Sequence, residues 1–435
     1  MVREPVATLD GIGKEAGDEI VQLNLGTFRP YLVTSPDHVQ RVLTDSGRFV
    51  RAGVFWKPLR RLFGEGSIMS EGATWSSSRR TLQPMFTPRY VGTLADSMAD
   101  SVAEAVEEMS RRTASGDPID AATELTKLVS GILIRDFFGD TISMRDADEL
   151  MAALDTMATA VVIRIMLPVM PDWVPLPGDA ALRRVVRTFD ALAAPLIRKY
   201  SVTPSQGDDI LSALCRAWNQ DGGRTLPKNW VRDNLVTMFA VGTETAIMAL
   251  TWFWPALAGH PEVIAKLHEE VTRVTGGDRI RGSHLPDLVY TKMVMQEVLR
   301  LYPTGWVFVR TVVEPTVVGD VTLKAGRSVI LSPYLTHRLE SAFERPLVFD
   351  PERFTPERAR LRHKFAYMPF GGGQHQCMGM HVFYQEAMLI IAGIMSRFRP
   401  ALADPAPVTP EVAVTLRPAQ QVRLTLTPFE PQGAR

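Results

Sequence analysis

The stretch Phe365–Ala387, FAYMPFGGGQHQCMGMHVFYQEA, gathers residue types that do chemistry. At its centre is Cys377, one of two cysteines in the chain. Three glycines precede it, Gly379 follows, and His381 to Arg397 carries apolar residues at helical spacing. The sulfur therefore sits where a glycine-rich loop enters a helix. A helix start offers unpaired N–H groups and partial positive charge, and both favour thiolate over thiol. Glycines let the backbone approach a flat partner, and Phe370 is placed to shield one side of the sulfur. Such a thiolate suits either a nucleophile or an axial ligand to an iron porphyrin. The commonest role of a lone cysteine is that of a small buried hydrophobe. Zinc wants four ligands, and no second cysteine or close histidine pair is nearby. A phosphate loop wants Gly-Lys-Ser/Thr after the glycines, which is missing. A nucleophile wants a base; His375 is two residues away, whereas catalytic partners usually lie far off in sequence.

Three further groups carry chemical content. Within the apolar run Leu235–Ala258 stands Val241-Gly-Thr-Glu-Thr-Ala246. A mid-helix glycine costs about 1 kcal/mol relative to alanine. Beside it Glu244 and Thr245 set an acid next to an alcohol in apolar surroundings, where polar groups are costly without a role. Thr245 can bond back to a carbonyl and open the helix locally. Glu297 and Arg300, three apart on a helix, can pair on one face; a surface ion pair worth under about 1 kcal/mol is the ordinary outcome. Trp75 and Arg79, four apart, share a face of the expected Glu71–Phe86 helix.

The elements that must position these groups are mostly helical. Strands are expected at Val21–Leu25 and Tyr31–Thr34 around a turn at Gly26, then a helix capped by Ser35 with Pro36 at its first position. Helices follow at about 91–112, 119–138 and 144–166. A proline-rich break at Leu167–Gly178 reads as a stiff lid. Further helices run to about Tyr200 and over 208–218, the latter with Cys215 on an apolar face as core. A central helix runs from about Pro227 to Leu257, and others run to about Thr275 and over Asp287–Leu301. Strands are expected at Trp306–Val313, Thr316–Leu323 and Ser328–Leu331. A coil from His337 to Met368 carries Pro351-Glu-Arg-Phe354; a structureless stretch of that length inside a compact domain is usually functional. The tail Val412–Thr427 alternates as a β-hairpin.

Phe370-x-x-Gly373-x-x-x-Cys377-x-Gly379 resembles the haem-binding signature of the cytochrome P-450 family, the haem-thiolate monooxygenases. Trp75-x-x-x-Arg79, Gly242-x-Glu244-Thr245, Glu297-x-x-Arg300, Pro351-Glu-Arg-Phe354 and the cysteine loop look like the family's five landmarks, in family order. The resemblance covers nearly the whole chain as one domain, residues 1–435. It implies a mainly α triangular prism with a smaller β region and a long central helix over haem b (iron protoporphyrin IX). It further implies Cys377 as the proximal thiolate ligand, whose electron release favours O–O cleavage, with Phe370, Gly373 and Gly379 shaping its loop. Trp75, Arg79, Arg310 and His375 match positions that hold the haem propionates, and Glu297, Arg300 and Arg353 match a buried charge triad. Gly242 would leave room for oxygen, with Glu244 and Thr245 relaying protons. The family's pocket positions fall near Phe55–Ile68, around Leu235–Thr245, at Thr304–Phe308 and near Thr415, with Phe55, Trp56, Trp306 and Phe308 the aromatic members. Three positions depart from the usual pattern: His375 where arginine is commoner, Val241 before Gly242, and Ala246 after Thr245.

Composition bounds the rest. At 435 residues with 46% apolar content the chain can bury a large core. A formal net charge of zero argues against nucleic acid as the main partner. Two cysteines fit a reducing cytoplasm rather than a disulfide framework. The first twenty residues have no apolar core, so neither signal peptide nor membrane anchor is expected. Leu235–Ala258 is long enough to span a bilayer, but Glu244 in its middle and the lack of basic flanks favour a buried central helix. The resemblance is to the soluble bacterial members, which take electrons from a ferredoxin and its reductase; no flavin or iron–sulfur domain is visible, so a separate donor is expected. The mostly apolar pocket positions favour an apolar small molecule, a terpenoid or aromatic secondary metabolite. Oxidative C–C or C–N coupling on the same fold, a haem-binding sensor without turnover and a cysteine hydrolase are the alternatives.

Overall fold

The computed structural model describes residues 5–26, 28–53, 55–113, 116–138, 143, 145, 149, 163–164, 170, 173–202, 209–222, 224 and 226–429. Most of the expected 144–166 helix and the first half of the Leu167–Gly178 connection lie outside them.

The helix Trp230–Leu257 runs through the main hydrophobic core. It is apolar on every side, so it has no solvent face, and its Trp230 and Trp252 are 0% exposed. Among the described residues it is the one helix long and apolar enough to cross a membrane, and 67% of that window is buried within the protein. It packs against helices Ala121–Phe138, Ile210–Asp221 and Asp179–Val202 on one side and Val289–Leu301 on another. Helix Met380–Arg397 lies in the same core, held against Ala95–Arg112 and Pro261–Thr275.

The β region flanks this helical body. One sheet has the order β1-β2-β8-β5-β3, where β1 is Val21–Gln22, β2 Tyr31–Val33, β3 Phe49–Val50, β5 Phe308–Val312 and β8 Ser328–Leu331. Its β2 and β8 run parallel and the remaining pairs antiparallel. The expected first hairpin is present, though short, and closes through a Leu25–Phe28 bridge. Between β5 and β8, β6 (Thr316–Val318) and β7 (Val321–Leu323) form a hairpin, so the expected single strand turns at Gly319. Strand β4 is Ile119–Asp120 and β9 is Phe398–Leu402.

The tail differs from the single hairpin expected. Strands β10 (Pro410–Val412) and β11 (Leu416–Pro418) pair with each other, whereas β12 (Arg423–Pro428) joins a separate sheet of order β4-β12-β9. An alternating pattern fixes which residues share a face but not which strand they pair with. Two further expectations change. Ser35 precedes helix Pro36–Thr44 but its side chain makes no cap bond. The stretch His337–Met368 is not structureless: it holds a 3₁₀ turn at Pro351–Phe354 and a short helix Pro356–Arg360.

Candidate active site

The cysteine loop is built by its own backbone. Gly371 N–H donates to Met368 O at 3.0 Å, Gln376 N–H to Gly373 O at 3.2 Å and Cys377 N–H to Phe370 O at 2.9 Å. Gly373 has φ +67°, a left-handed conformation open to glycine, and a Cβ there would fall 2.0 Å from the Leu43 carbonyl oxygen. Helix Met380–Arg397 then begins with Gly379 at its cap. Phe370 packs tilted against Phe383 and edge to face against Tyr384, ring centroids 5.7 and 5.3 Å away.

Cys377 is open at its surface yet enclosed by protein atoms. Enclosure pushes its thiol up, opposed by the backbone N–H groups of Gly379 and Met380 and by the Arg79 guanidinium. The sequence expectation of a simply depressed thiol pKa is thus outweighed by desolvation, although the expected helix-start donors are in place. Cys215 is buried core as expected, and burial raises its thiol to about 11.

Beside the loop lies a cluster of cations. Arg79 donates to Gln376 O at 2.7 Å. The Trp75 and His375 rings meet edge to face at 4.4 Å. His375 Nε2 is 3.2 Å from Glu71 Oε2, outside hydrogen-bond alignment, and both its ring nitrogens are buried with no hydrogen-bond partner among the described residues. Arg310 is 6% exposed and donates to Val309 O at 2.9 Å. Burial lowers its guanidinium to about 10, and Arg51 adds to the effect. Among the described residues neither Arg79 nor Arg310 has an ion pair with a carboxylate. Glu71, by contrast, is engaged: Arg51 binds it through Nε at 2.9 Å and its backbone N–H at 2.8 Å. Burial pulls Glu71 upward, but His375 and Arg51 outweigh it and bring it to about 2. Arg51 and Glu71 were not singled out in the sequence; their one signal is the acid immediately before the Trp75–Arg79 helix.

A flat anion with two carboxylates would satisfy this cluster, and an enclosed, accessible sulfur beside it would meet a metal. The residues present therefore fit an iron porphyrin.

Helix Val289–Leu301 positions Glu297 and Arg300, both 0% exposed. Arg300 forks onto Glu297 at 2.6 and 2.8 Å and reaches His337 O and Pro346 O at 2.9 and 2.6 Å. Arg353 Nε lies 3.5 Å from Glu297 Oε1, and its other nitrogens donate to Glu344 O and Arg345 O at 2.5 and 2.8 Å. This is a buried triad, not a surface pair. His337, unmarked in the sequence reading, joins it to the cysteine loop: Met368 N–H donates to its Nε2 at 2.9 Å, and its Nδ1 faces Arg300 O at 3.1 Å.

On the central helix Gly242 is exposed between half-buried Val241 and buried Thr243, and a Cβ there would meet only Leu133, at 3.9 Å. Thr245 Oγ1 donates to Val241 O at 2.7 Å, as anticipated, but the helix stays continuous there. Glu244 Oε1 accepts from Thr415 Oγ1 at 3.0 Å. Of the pocket candidates, Phe55, Trp306 and Phe308 are half-buried, whereas Trp56 and Thr415 are 8% and 4% exposed. Phe308 packs beside Gly305 and Gly371, against the cysteine loop.

Residues 12–425 match the family model of Cytochrome P450. The chain belongs to the cytochrome P450 family. It is 32% identical to cyclooctatin synthase of Streptomyces melanosporofaciens across 99% of this chain and 91% of that one. Identity to pentalenene oxygenase of Streptomyces avermitilis is 28%, across 99% and 94%. Among solved structures, the haem domain of cytochrome P450DA superposes with a TM-score of 0.87 at 24% identity, covering 98% of this chain and 94% of that one, and shows the same fold. The protein is thus a P450 monooxygenase with haem b as its cofactor, taking electrons from a redox partner to oxidise an apolar small molecule.

Proposed function

We propose that Cys377 is the thiolate that would hold the haem iron of this P450 and that the chain, one domain over residues 1–435, hydroxylates or otherwise oxidises a terpenoid. The observation that carries the first part is the accessible, enclosed Cys377 sulfur with the Gly379 and Met380 amides behind it and Arg79 beside it. The names of the Streptomyces relatives support the second.

The bound haem supplies the redox chemistry that activates dioxygen. The remaining work falls to side chains. Trp75, Arg79, Arg310 and His375 would hold the haem propionates; guanidinium forks suit a carboxylate better than ammonium points do. Phe370, Gly373 and Gly379 shape the loop that presents the sulfur. Glu297, Arg300 and Arg353 fix the coil that leads into that loop. On the central helix Gly242 would leave space for dioxygen, and Glu244 and Thr245 would hold protons at their carboxylate and hydroxyl for its reduction. Phe55, Trp56, Trp306, Phe308 and Thr415 wall the apolar pocket. The electron donor is a ferredoxin served by its reductase, in the cytoplasm.

The reduced, carbon-monoxide-bound absorption spectrum tests the ligand. Wild-type protein shows the red-shifted band of a thiolate-bound haem, and Cys377→His abolishes it; a variant that keeps that band overturns the assignment. A panel of cyclic terpene hydrocarbons and aromatic metabolites, scored by spin-state shift, tests the substrate class. Shifts confined to aromatics would remove the terpenoid reading.

A further inference from the structure

We propose that Thr415 is a positioning residue: its hydroxyl fixes the Glu244 carboxylate for proton delivery, tying the acid on the central helix to the tip of the β10–β11 hairpin. This rests on the reading of Glu244 as a relay acid and goes beyond it, since it moves Thr415 from the pocket wall to the relay.

The hydroxyl is not free to face a substrate. Thr415 is 4% exposed, and its Oγ1 donates to Glu244 Oε1 at 3.0 Å across 171 residues of sequence. A hydrogen bond holds an acid in place only if its other end is fixed, and the hairpin tip is fixed from three sides. Trp252 Nε1, on the central helix itself, donates to Leu416 O at 3.0 Å. Leu416 N–H donates to Thr304 O at 3.0 Å. Trp306 Nε1 donates to Ala413 O at 3.1 Å. Within the tip, Ala413 N–H reaches Thr415 O at 3.0 Å. Trp252 is in turn stacked on Tyr302, centroids 4.2 Å apart and planes 9° from parallel. The two indole N–H groups and the Thr304 carbonyl thus lock the residues flanking Thr415, and Thr415 passes that rigidity to Glu244.

The sequence around Glu244 asks for such a device. Glu244 carries three rotatable bonds and stands two residues from Gly242, where a Cβ would meet only Leu133, at 3.9 Å, so a hydrogen bond from a fixed donor narrows its rotamers. Because Trp306 clamps the same tip, an occupant pressing on Trp306 acts on the acid through the three hydrogen bonds that join Trp306 to Ala413, Ala413 to Thr415 and Thr415 to Glu244.

The test uses haem-loaded full-length Thr415→Val, Thr415→Ala, Thr415→Ser and Glu244→Gln, with carbon monoxide and dioxygen as probes. Two quantities are read: the infrared stretching band of carbon monoxide in the reduced protein, and peroxide released per NADH oxidised through a surrogate ferredoxin and its reductase, in H2O and D2O. Loss of the hydroxyl in Thr415→Val and Thr415→Ala shifts the band and moves the partition from water to peroxide by about tenfold, the size of one hydrogen bond to a charged group. Thr415→Ser returns both readouts toward wild type. If Thr415→Val matches wild type, or Thr415→Ser moves as far as Thr415→Val, the proposal is overturned, because volume rather than the hydroxyl would then matter. Should Thr415→Val fail to load haem, Thr415→Ala against Thr415→Ser carries the same comparison. If Glu244→Gln leaves peroxide release unchanged, the relay reading itself falls; if Glu244→Gln raises it and the Thr415 variants do not, only the positioning role falls.

Discussion

At the scale of single residues, the chemistry rests on one sulfur and one acid–alcohol pair. Replacing Cys377 by serine nearly keeps the shape but offers a hydroxyl that ionises far less readily than a thiol, so the variant should lose the thiolate-type carbon monoxide band while retaining its folded far-ultraviolet dichroism. Removing the Thr245 hydroxyl should raise peroxide per NADH by about 10²-fold or less, the lower end of what positioned proton transfer contributes; unchanged peroxide in Thr245→Ala would contradict its place in the relay. These residues were legible because each advertises itself locally: a cysteine among glycines at a helix start, an acid beside an alcohol in an apolar helix. The Thr245 back-bond to Val241 was likewise foreseeable from spacing alone. Arg51 and Glu71 were not, because their roles depend on meeting Arg310 and His375 across more than 200 residues of sequence. Nor was the high thiol pKa of Cys377, since a sequence shows helix-start donors but not the depth at which they are buried.

At the scale of elements, the cysteine loop is held from behind by the helix carrying Glu297 and Arg300 and by the coil carrying Arg353. Breaking a fully buried charge group by removing one partner leaves the others unpaired and costs about 3–5 kcal/mol. Glu297→Ala should therefore purify with little haem and unfold at much lower denaturant; a variant with wild-type haem content would show that the triad is dispensable. The i, i+3 spacing of Glu297 and Arg300 gave away the pair, but not that both are 0% exposed. His337 was missed altogether, because nothing in its local sequence marks a residue that joins Arg300 to Met368, 37 positions before it and 31 after it. The long helices among the described residues were read from periodicity, whereas helices Pro5–Ala16 and Lys57–Phe63 were not expected. Strand pairing in the tail was not, because β12 finds β9 and β4 rather than its neighbour β11.

At the scale of the whole molecule, two buried histidines set the acid limit of stability. Burial lowers His337 to about 3 and His268 to about 4, from an ordinary 6.5. Above pH 6.5 both are neutral in folded and unfolded chains, and the fold loses nothing. Below it the unfolded chain takes up protons that the folded chain refuses, so stability falls with pH until the folded values are reached. Between about pH 5.5 and 4.5 the slope should approach ~2.7 kcal/mol per pH unit, two protons' worth. Guanidinium midpoints measured at half-unit steps check this, and His337→Gln should shallow the slope by nearly half. A flat stability profile down to pH 4.5 would show that neither histidine stays neutral on burial.

The contrast between the two sulfurs has a practical use. Cys215 is sealed in the core, whereas Cys377 is open at its surface. A maleimide dye mixed with a freshly purified preparation should therefore label only chains whose porphyrin seat is vacant, at most once each. The fluorescence per mole of polypeptide then counts unfilled protein directly, giving the molecule a built-in gauge of its own loading.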